Sequence, residues 1–214
     1  MIKACIFDLD GVLVDTAHYH FLAWKRLAKE FDYELTEEIN EQLKGVSRMK
    51  SLEIVLKHAN VSVVEQKKQA LADRKNGWFT DYVHKMKSEE LYPGVKELFS
   101  TLRKDKIRIA LASSSKNAKT IIEILGIQHE FEAVVDGNMI IHSKPDPEIF
   151  LLAAKKLGLN PADCVVFEDA EAGVEAAVAA GMKCVGVGNP AQLRKANQVV
   201  KSIEDFNYAD LQKL

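Results

Sequence analysis

Two aspartates one residue apart, Asp8 and Asp10 in the stretch FDLDGV, close an apolar run near the start of the chain. Ending a buried strand in carboxylates is costly unless a metal, a partner or a reaction uses the charge. Three other apolar runs or turns carry residues of matching chemistry. IRIALA is followed by Ser113, Ser114 and Ser115, SKPDP contains Lys144, and CVVF is followed by Glu168 and Asp169. Each has an ordinary explanation alone. Serines populate loops, SKPDP reads as a helix start set by Pro145 and Pro147, and an acidic pair before a helix can cap it. Together they suit magnesium and phosphate. Mg²⁺ takes hard oxygen ligands, for which Asp8 and Asp169 are natural, with Glu168 a ligand or a supporting carboxylate. Ser113, backbone amides near Ser114 and the Lys144 ammonium suit the oxygens of a phosphoryl group. Asp8 is then a candidate nucleophile and Asp10 a candidate acid and base.

These residues need elements that bring them together. IKACIFD, IRIALAS, CVVFED and KCVGVG are apolar, β-branched and without alternation, as in parallel strands covered on both faces. VVDG, ending at Gly137, and a late VVKS add short strands. Helical patterns follow: KNAKTIIEIL before Gly126, DPEIFLLAAKKL before Gly158, and EAGVEAAVAA before Gly181. Pro93 and Gly94 open a further helix. The alternation predicts a doubly wound, Rossmann-like α/β core formed by residues 1–14 and 89–214, with ligands at the carboxyl ends of the strands. Residues 15–88 hold no convincing strand and read as a small helical domain inserted after the first strand, with helices over about 17–31, 36–43, 49–59 and 63–86. Thr36, before two glutamates, is the cap of the second.

Composition narrows the function classes. A net charge of −2 and 47% hydrophobic residues give no sign of a nucleic-acid or membrane partner. Cys5, Cys164 and Cys184 lie in strand-like runs with no C-x-x-C spacing, which fits packed, reduced thiols and a cytoplasmic location. Nothing in the sequence demands more than a monomer.

FDLDGVLVDT, IALASSSKN, SKPDPEIF and FEDAEAGVEAA resemble the four motifs of the haloacid dehalogenase superfamily of phosphotransferases, and the resemblance runs the length of the chain, the helical insertion resembling the superfamily's small cap. It implies an Asp8 nucleophile, an Asp10 acid/base, a phosphate cradle of Ser113 and Lys144, and Mg²⁺ on Asp8, Asp169, Glu168 and the Asp10 carbonyl. Ala170 departs from the pattern, where a serine or threonine often follows the acidic pair. The acceptor is left to the insertion. There DTAHYHFLAWK, NEQLKGVSR and ADRKN resemble the sugar-phosphate mutases of the superfamily more closely than its phosphatases. That resemblance implies substrate contacts from His20, Lys44, Gly45, Val46, Ser47, Arg48 and Lys75. Arg48, with Ser115, Lys116 and Asn117, would grip the phosphate that is not transferred. Taken alone, Arg48 reads equally as a solvated helix start, His20 as an ordinary helix histidine, Lys75 as a solvated face, and Trp24 as core. The expected reaction is conversion of β-glucose 1-phosphate to glucose 6-phosphate, with glucose 1,6-bisphosphate as intermediate and primer. The alternative is a sugar-phosphate phosphatase.

Overall fold

The computed structural model describes residues 1–43 and 46–214. The chain divides into two compact units, Met1–Asp15 with Lys87–Leu214, and Thr16–Met86.

The first unit is built on a parallel sheet of six strands: β1 (Ala4–Phe7), β2 (Arg108–Ala112), β3 (Ala133–Val135), β4 (Cys164–Glu168), β5 (Lys183–Val187) and β6 (Gln198–Val200). Their order is β3-β2-β1-β4-β5-β6. The chain winds outward from β1 to β3, then returns to lay β4 on the other side of β1. This reversal is the switch point at which open α/β sheets bind ligands. The register places Phe7 beside both Leu111 and Phe167. Asp8, one residue on, donates its N–H to the Phe167 carbonyl at 3.0 Å. Residues just past β1, β2 and β4 therefore share one edge.

Both faces of the sheet are covered, which is why its central strands do not alternate. Ala4 and Ile6 of β1 pack with Ala110, Ala112 and Val166 against two helices, α7 (Glu148–Leu157) and α8 (Glu171–Ala179). Phe7 faces the other way. It stacks on Phe167 at 4.7 Å and meets Phe99 of α5 (Val95–Lys104) edge-on at 5.1 Å. Fully burying a side chain of this size contributes about 1.5–3 kcal/mol, so these rings anchor the strand that carries Asp8. The three cysteines are buried and unbridged. The remaining helix of this unit, α6 (Ala118–Ile124), follows the loop after β2.

The second unit contains α1 (Ala17–Lys29), α2 (Glu37–Glu41), α3 (Arg48–His58) and α4 (Glu65–Val83). Its core is apolar residues at helical spacing: Trp24, Leu27 and Ala28 from α1, Leu52, Val55 and Leu56 from α3, Leu71 and Ala72 from α4. Trp24 is thus core. Thr36 and Ser47 cap α2 and α3, each hydroxyl accepting an N–H three residues on at 3.3 Å. Among the described residues no helix is long and apolar enough to cross a membrane.

Candidate active site

Four chain segments meet at the switch point. Asp8 follows β1 directly and is buried, as are Glu168 at the end of β4 and Ser113 just past β2. Lys144 reaches in from the turn before α7, its side chain 7% exposed rather than solvated. Its Nζ donates to Asp8 Oδ1 at 2.5 Å, to Glu168 Oε2 at 2.8 Å and to the Ala112 carbonyl at 3.3 Å. An ammonium has three protons, and here each has an acceptor. Burial works against the Lys144 charge, but Asp8 and Glu168 outweigh it and hold the ammonium above its ordinary range.

The acids lean the other way. Asp10 lies past the end of β1, in a turn closed by a bridge to Val14. Desolvation, then the Asp8 charge, pushes its carboxyl up to about 8. This favours the protonated form, which is able to donate. Burial first, and then Asp8 and Asp169 against the opposing pull of Lys144, raises Glu168 to about 8. Asp169, the more exposed member, rises to about 7 through the protein packed around its carboxylate and the charges of Asp8 and Asp10.

Oxygen atoms of Asp8, Glu168 and Asp169 lie within 4.8 Å of one another. Three hard donors crowded at this spacing, of which Glu168 and Asp169 are driven toward protonation by burial and then by neighbouring carboxylate charge, suit a divalent cation such as Mg²⁺. A second acidic group, His142, Asp146 and Glu148, serves its own turn instead. Glu148 accepts N–H bonds from Ile141 and His142, and Asp146 accepts the Glu148 N–H.

Glycines shape the site in ways the motifs alone did not reveal. Gly11 has φ +75°, and a Cβ there would fall 2.0 Å from Asp169 Oδ2. A Cβ on Gly173 would fall 2.0 Å from Glu168 Cδ. Asp8, Asp169 and Glu168 were legible as chemistry, whereas these close approaches are visible only in three dimensions. The acidic pair does not cap α8: Ala170 holds that position, with no side-chain cap.

The serine loop is held from below. Ser113 Oγ accepts the Ser115 N–H at 3.1 Å, and Ser115 Oγ accepts that of Asn117 at 3.2 Å. Gly137, past β3, donates its N–H to the Ser115 carbonyl at 3.2 Å, and Asn138 Nδ2 donates to the Lys116 carbonyl at 3.1 Å. A Cβ on Gly137 would meet the Ser114 carbonyl oxygen at 2.2 Å. Ser114 and Lys116 are exposed.

The second unit has its own polar cluster. Lys75, on α4, is 1% exposed, so its face is not solvated. Its Nζ lies 2.7 Å from His20 Nδ1, 4.5 Å over the Trp24 ring and 5.0 Å over Phe79. His20 stacks on Phe79 at 3.9 Å. Burial, then the Lys75 and Arg48 charges, lowers His20 well below its usual value. It is neutral, accepting at Nδ1 from the ammonium and carrying its proton on Nε2. Arg48 opens α3 and donates from Nη2 to Asn76 Oδ1 at 2.8 Å. Ser47 is the cap before it, and Val46 is exposed. Lys44 and Gly45 lie outside the described residues.

Comparison with known proteins gives the family and the fold. A family model described as haloacid dehalogenase-like hydrolase matches residues 2–181. The chain is 46% identical over 206 residues to a β-phosphoglucomutase of Bacillus subtilis, covering 95% of this chain and 91% of that protein. It is 32% identical to a phosphorylated carbohydrates phosphatase of Thermotoga maritima, covering 85% and 82%. Among solved structures, β-phosphoglucomutase from Clostridium difficile superposes with a TM-score of 0.94 at 41% identity, covering 100% of this chain and 96% of that one.

Proposed function

The chain belongs to the haloacid dehalogenase-like hydrolases, and on that footing we propose that it is a phosphomutase interconverting β-glucose 1-phosphate and glucose 6-phosphate. The observation that carries mutase over phosphatase is Arg48. A mutase must hold two phosphates and a phosphatase one, and a guanidinium fork is suited to the second. The 46% identity to a β-phosphoglucomutase supports the same assignment.

In this mechanism the Asp8 carboxylate attacks phosphorus and the bond from phosphorus to the sugar oxygen breaks. Asp10 gives its proton to the departing oxygen. In the reverse half-reaction a sugar hydroxyl attacks the aspartyl-phosphate and Asp10 takes the proton back. Ser113, the amides at Ser114, and Lys144 receive the phosphoryl oxygens. Asp8, Asp169, Glu168 and the Asp10 carbonyl would hold Mg²⁺, which when bound supplies the positive charge that lets one anion approach another. Glucose 1,6-bisphosphate is the intermediate and the primer, because an aspartyl-phosphate lost to water must be restored. Lys75 and neutral His20 offer polar atoms to the sugar, together with Val46, Ser47, and Lys44 and Gly45. Ser115, Lys116 and Asn117 serve the second phosphate. The protein acts on a small sugar phosphate as a monomer.

The test offers β- and α-glucose 1-phosphate separately, with Mg²⁺ and a trace of bisphosphate, while following glucose 6-phosphate and free phosphate. Formation of glucose 6-phosphate from the β anomer, lost in Arg48→Ala while phosphate release persists, is expected. Unchanged mutase turnover in Arg48→Ala, or phosphate release without glucose 6-phosphate in the wild type, overturns the assignment.

A further inference from the structure

Arg48 stands where its own helix does not want it. It is the first residue of α3, at the positive end of the helix dipole, and no acidic residue lies in that first turn. A cation there is disfavoured by about 0.3–1 kcal/mol. Its guanidinium is instead turned onto one face of α4. Gln69, Asp73 and Asn76 share that face at helical spacing. Asn76 Oδ1 accepts from Arg48 Nη2 at 2.8 Å, while Asp73 Oδ1 stands 3.8 Å from Nη1 and is itself held by Gln69 Nε2 at 2.8 Å.

The two acceptors differ in what they do to the arginine. Asn76 fixes the plane of the guanidinium through one N–H and adds no charge, leaving compensation to the looser 3.8 Å ion pair with Asp73. Asp73 offers a carboxylate, which competes for the fork that would bind a phosphate. With Asn76 in place the short bond goes to the neutral amide, and the carboxylate stays beyond hydrogen-bond distance. We propose that Asn76 is the positioning residue for Arg48, presenting its guanidinium to the second phosphate and keeping the 3.8 Å ion pair with Asp73 from closing to hydrogen-bond distance. The inference rests on the assignment of Arg48 as a phosphate donor.

Losing Asn76 frees the guanidinium to close on Asp73. Phosphate must then break an ion pair before it binds. Hydrogen bonds to charged groups contribute about 1.5–3 kcal/mol, so Asn76→Ala should raise KM for β-glucose 1-phosphate about tenfold or more. Because the phosphate gripped here does not react, kcat should change little. Asn76→Asp, which keeps the shape of the side chain and adds a charge beside Arg48, should raise KM at least as far. Asp73→Asn placed on Asn76→Ala should recover much of the loss, since no carboxylate then draws the arginine away.

The decisive experiment is a double-mutant cycle on glucose 6-phosphate affinity, followed by calorimetry, with Asn76→Ala, Arg48→Ala and the pair. If Asn76 acts through Arg48, its replacement adds nothing once Arg48 is gone. Equal losses of affinity from Asn76→Ala in both backgrounds, or no loss in the wild-type background where Arg48→Ala itself weakens binding, overturns the role of Asn76 alone. No effect of Arg48→Ala overturns instead the assignment of the second phosphate site on which it rests.

Discussion

A single methyl group at Gly173 should damage metal binding more than folding. The residue lies in the first turn of α8, and a Cβ there would stand 2.0 Å from Glu168 Cδ and 2.3 Å from Oε1. Carbon atoms at contact sit about 3.5–4.0 Å apart, so the Glu168 carboxylate must retreat. It is the movable end of a side chain, whereas the helix backbone is not, and the strain is relieved there. The retreat strains the bond from Lys144 at 2.8 Å and that from the Ala170 N–H at 3.3 Å. Two effects on stability then oppose each other. Alanine gains about 0.8–1 kcal/mol over glycine inside a helix, and overpacking costs about 1–3 kcal/mol. The net loss is about 0–2 kcal/mol, small beside a typical domain stability of about 5–15 kcal/mol. Displacing a group that ligates or orients at a metal site costs about 10–100-fold in affinity. Gly173→Ala should therefore remain folded, with a small shift in urea midpoint, and lose about one to two orders of magnitude in Mg²⁺ affinity by calorimetric titration. A folded variant whose Mg²⁺ affinity equals that of the wild type would refute both the role of Glu168 and the reasoning from close approach.

Lys144→Met strips the buried carboxylates of Asp8 and Glu168 of their cation; removing one partner of a buried pair costs about 3–5 kcal/mol. Because Glu168 can escape by taking up a proton, that loss, read from urea midpoints without added metal, should be larger at pH 8 than at pH 5; equal losses would contradict the pairing. His20 gives a profile that also rises with pH, for a different reason. The folded protein holds it neutral well below the unfolded value of 6.5, so the unfolded chain binds the extra proton first as pH falls. The His20 contribution is thus intact above about pH 6.5 and is lost below it, by up to about 1.4 kcal/mol per pH unit. Wild type and His20→Gln should diverge below that pH in chemical denaturation, and parallel profiles would mean that His20 is charged in the fold.

The strands were legible because a sheet covered on both faces must be written in uninterrupted apolar residues, and even VVDG and VVKS mark the short edge strands β3 and β6. The first helix was read from Ala17 to about residue 31, and it ends at Lys29. The fourth is shorter at both ends than its pattern, because Val63 and Met86 pack without being helical. Chemical groups were legible where their type is costly to keep, as with Asp8 and the acidic pair after CVVF. Supports were not. Gly173 looks like one small residue in an alanine-rich helix, and its function is the space it leaves for Glu168. Asn76 looks like helix surface until Arg48 is folded onto it from another helix. Lys75 sits in a run, ADRKN, whose neighbours favour solvent. Only the packing of Trp24, Phe79 and His20 around its ammonium makes it interior.

Charge balance explains why the first strand can end as it does. At the switch point Asp8, Glu168 and Asp169 face the single ammonium of Lys144. Lys144 can neutralise one carboxylate, and it is divided between Asp8 and Glu168. Burial first, and then the repulsion among the carboxylates that Lys144 leaves uncompensated, pushes the acids toward protonation, Asp10 and Glu168 to about 8 and Asp169 to about 7. A fold optimised for stability alone would replace such a cluster with apolar residues, since doing so is often neutral or favourable by about 1–4 kcal/mol. Keeping it makes sense when a divalent cation and a phosphoryl group complete the balance in turn. Asp10 then differs from its neighbours in its use. In the proposed mechanism, burial and the Asp8 charge push Asp10 toward its protonated form, so that it has a proton to give when the sugar oxygen departs. Two carboxyls two residues apart, set by their surroundings to different tasks: that is the reading we propose for FDLDGV.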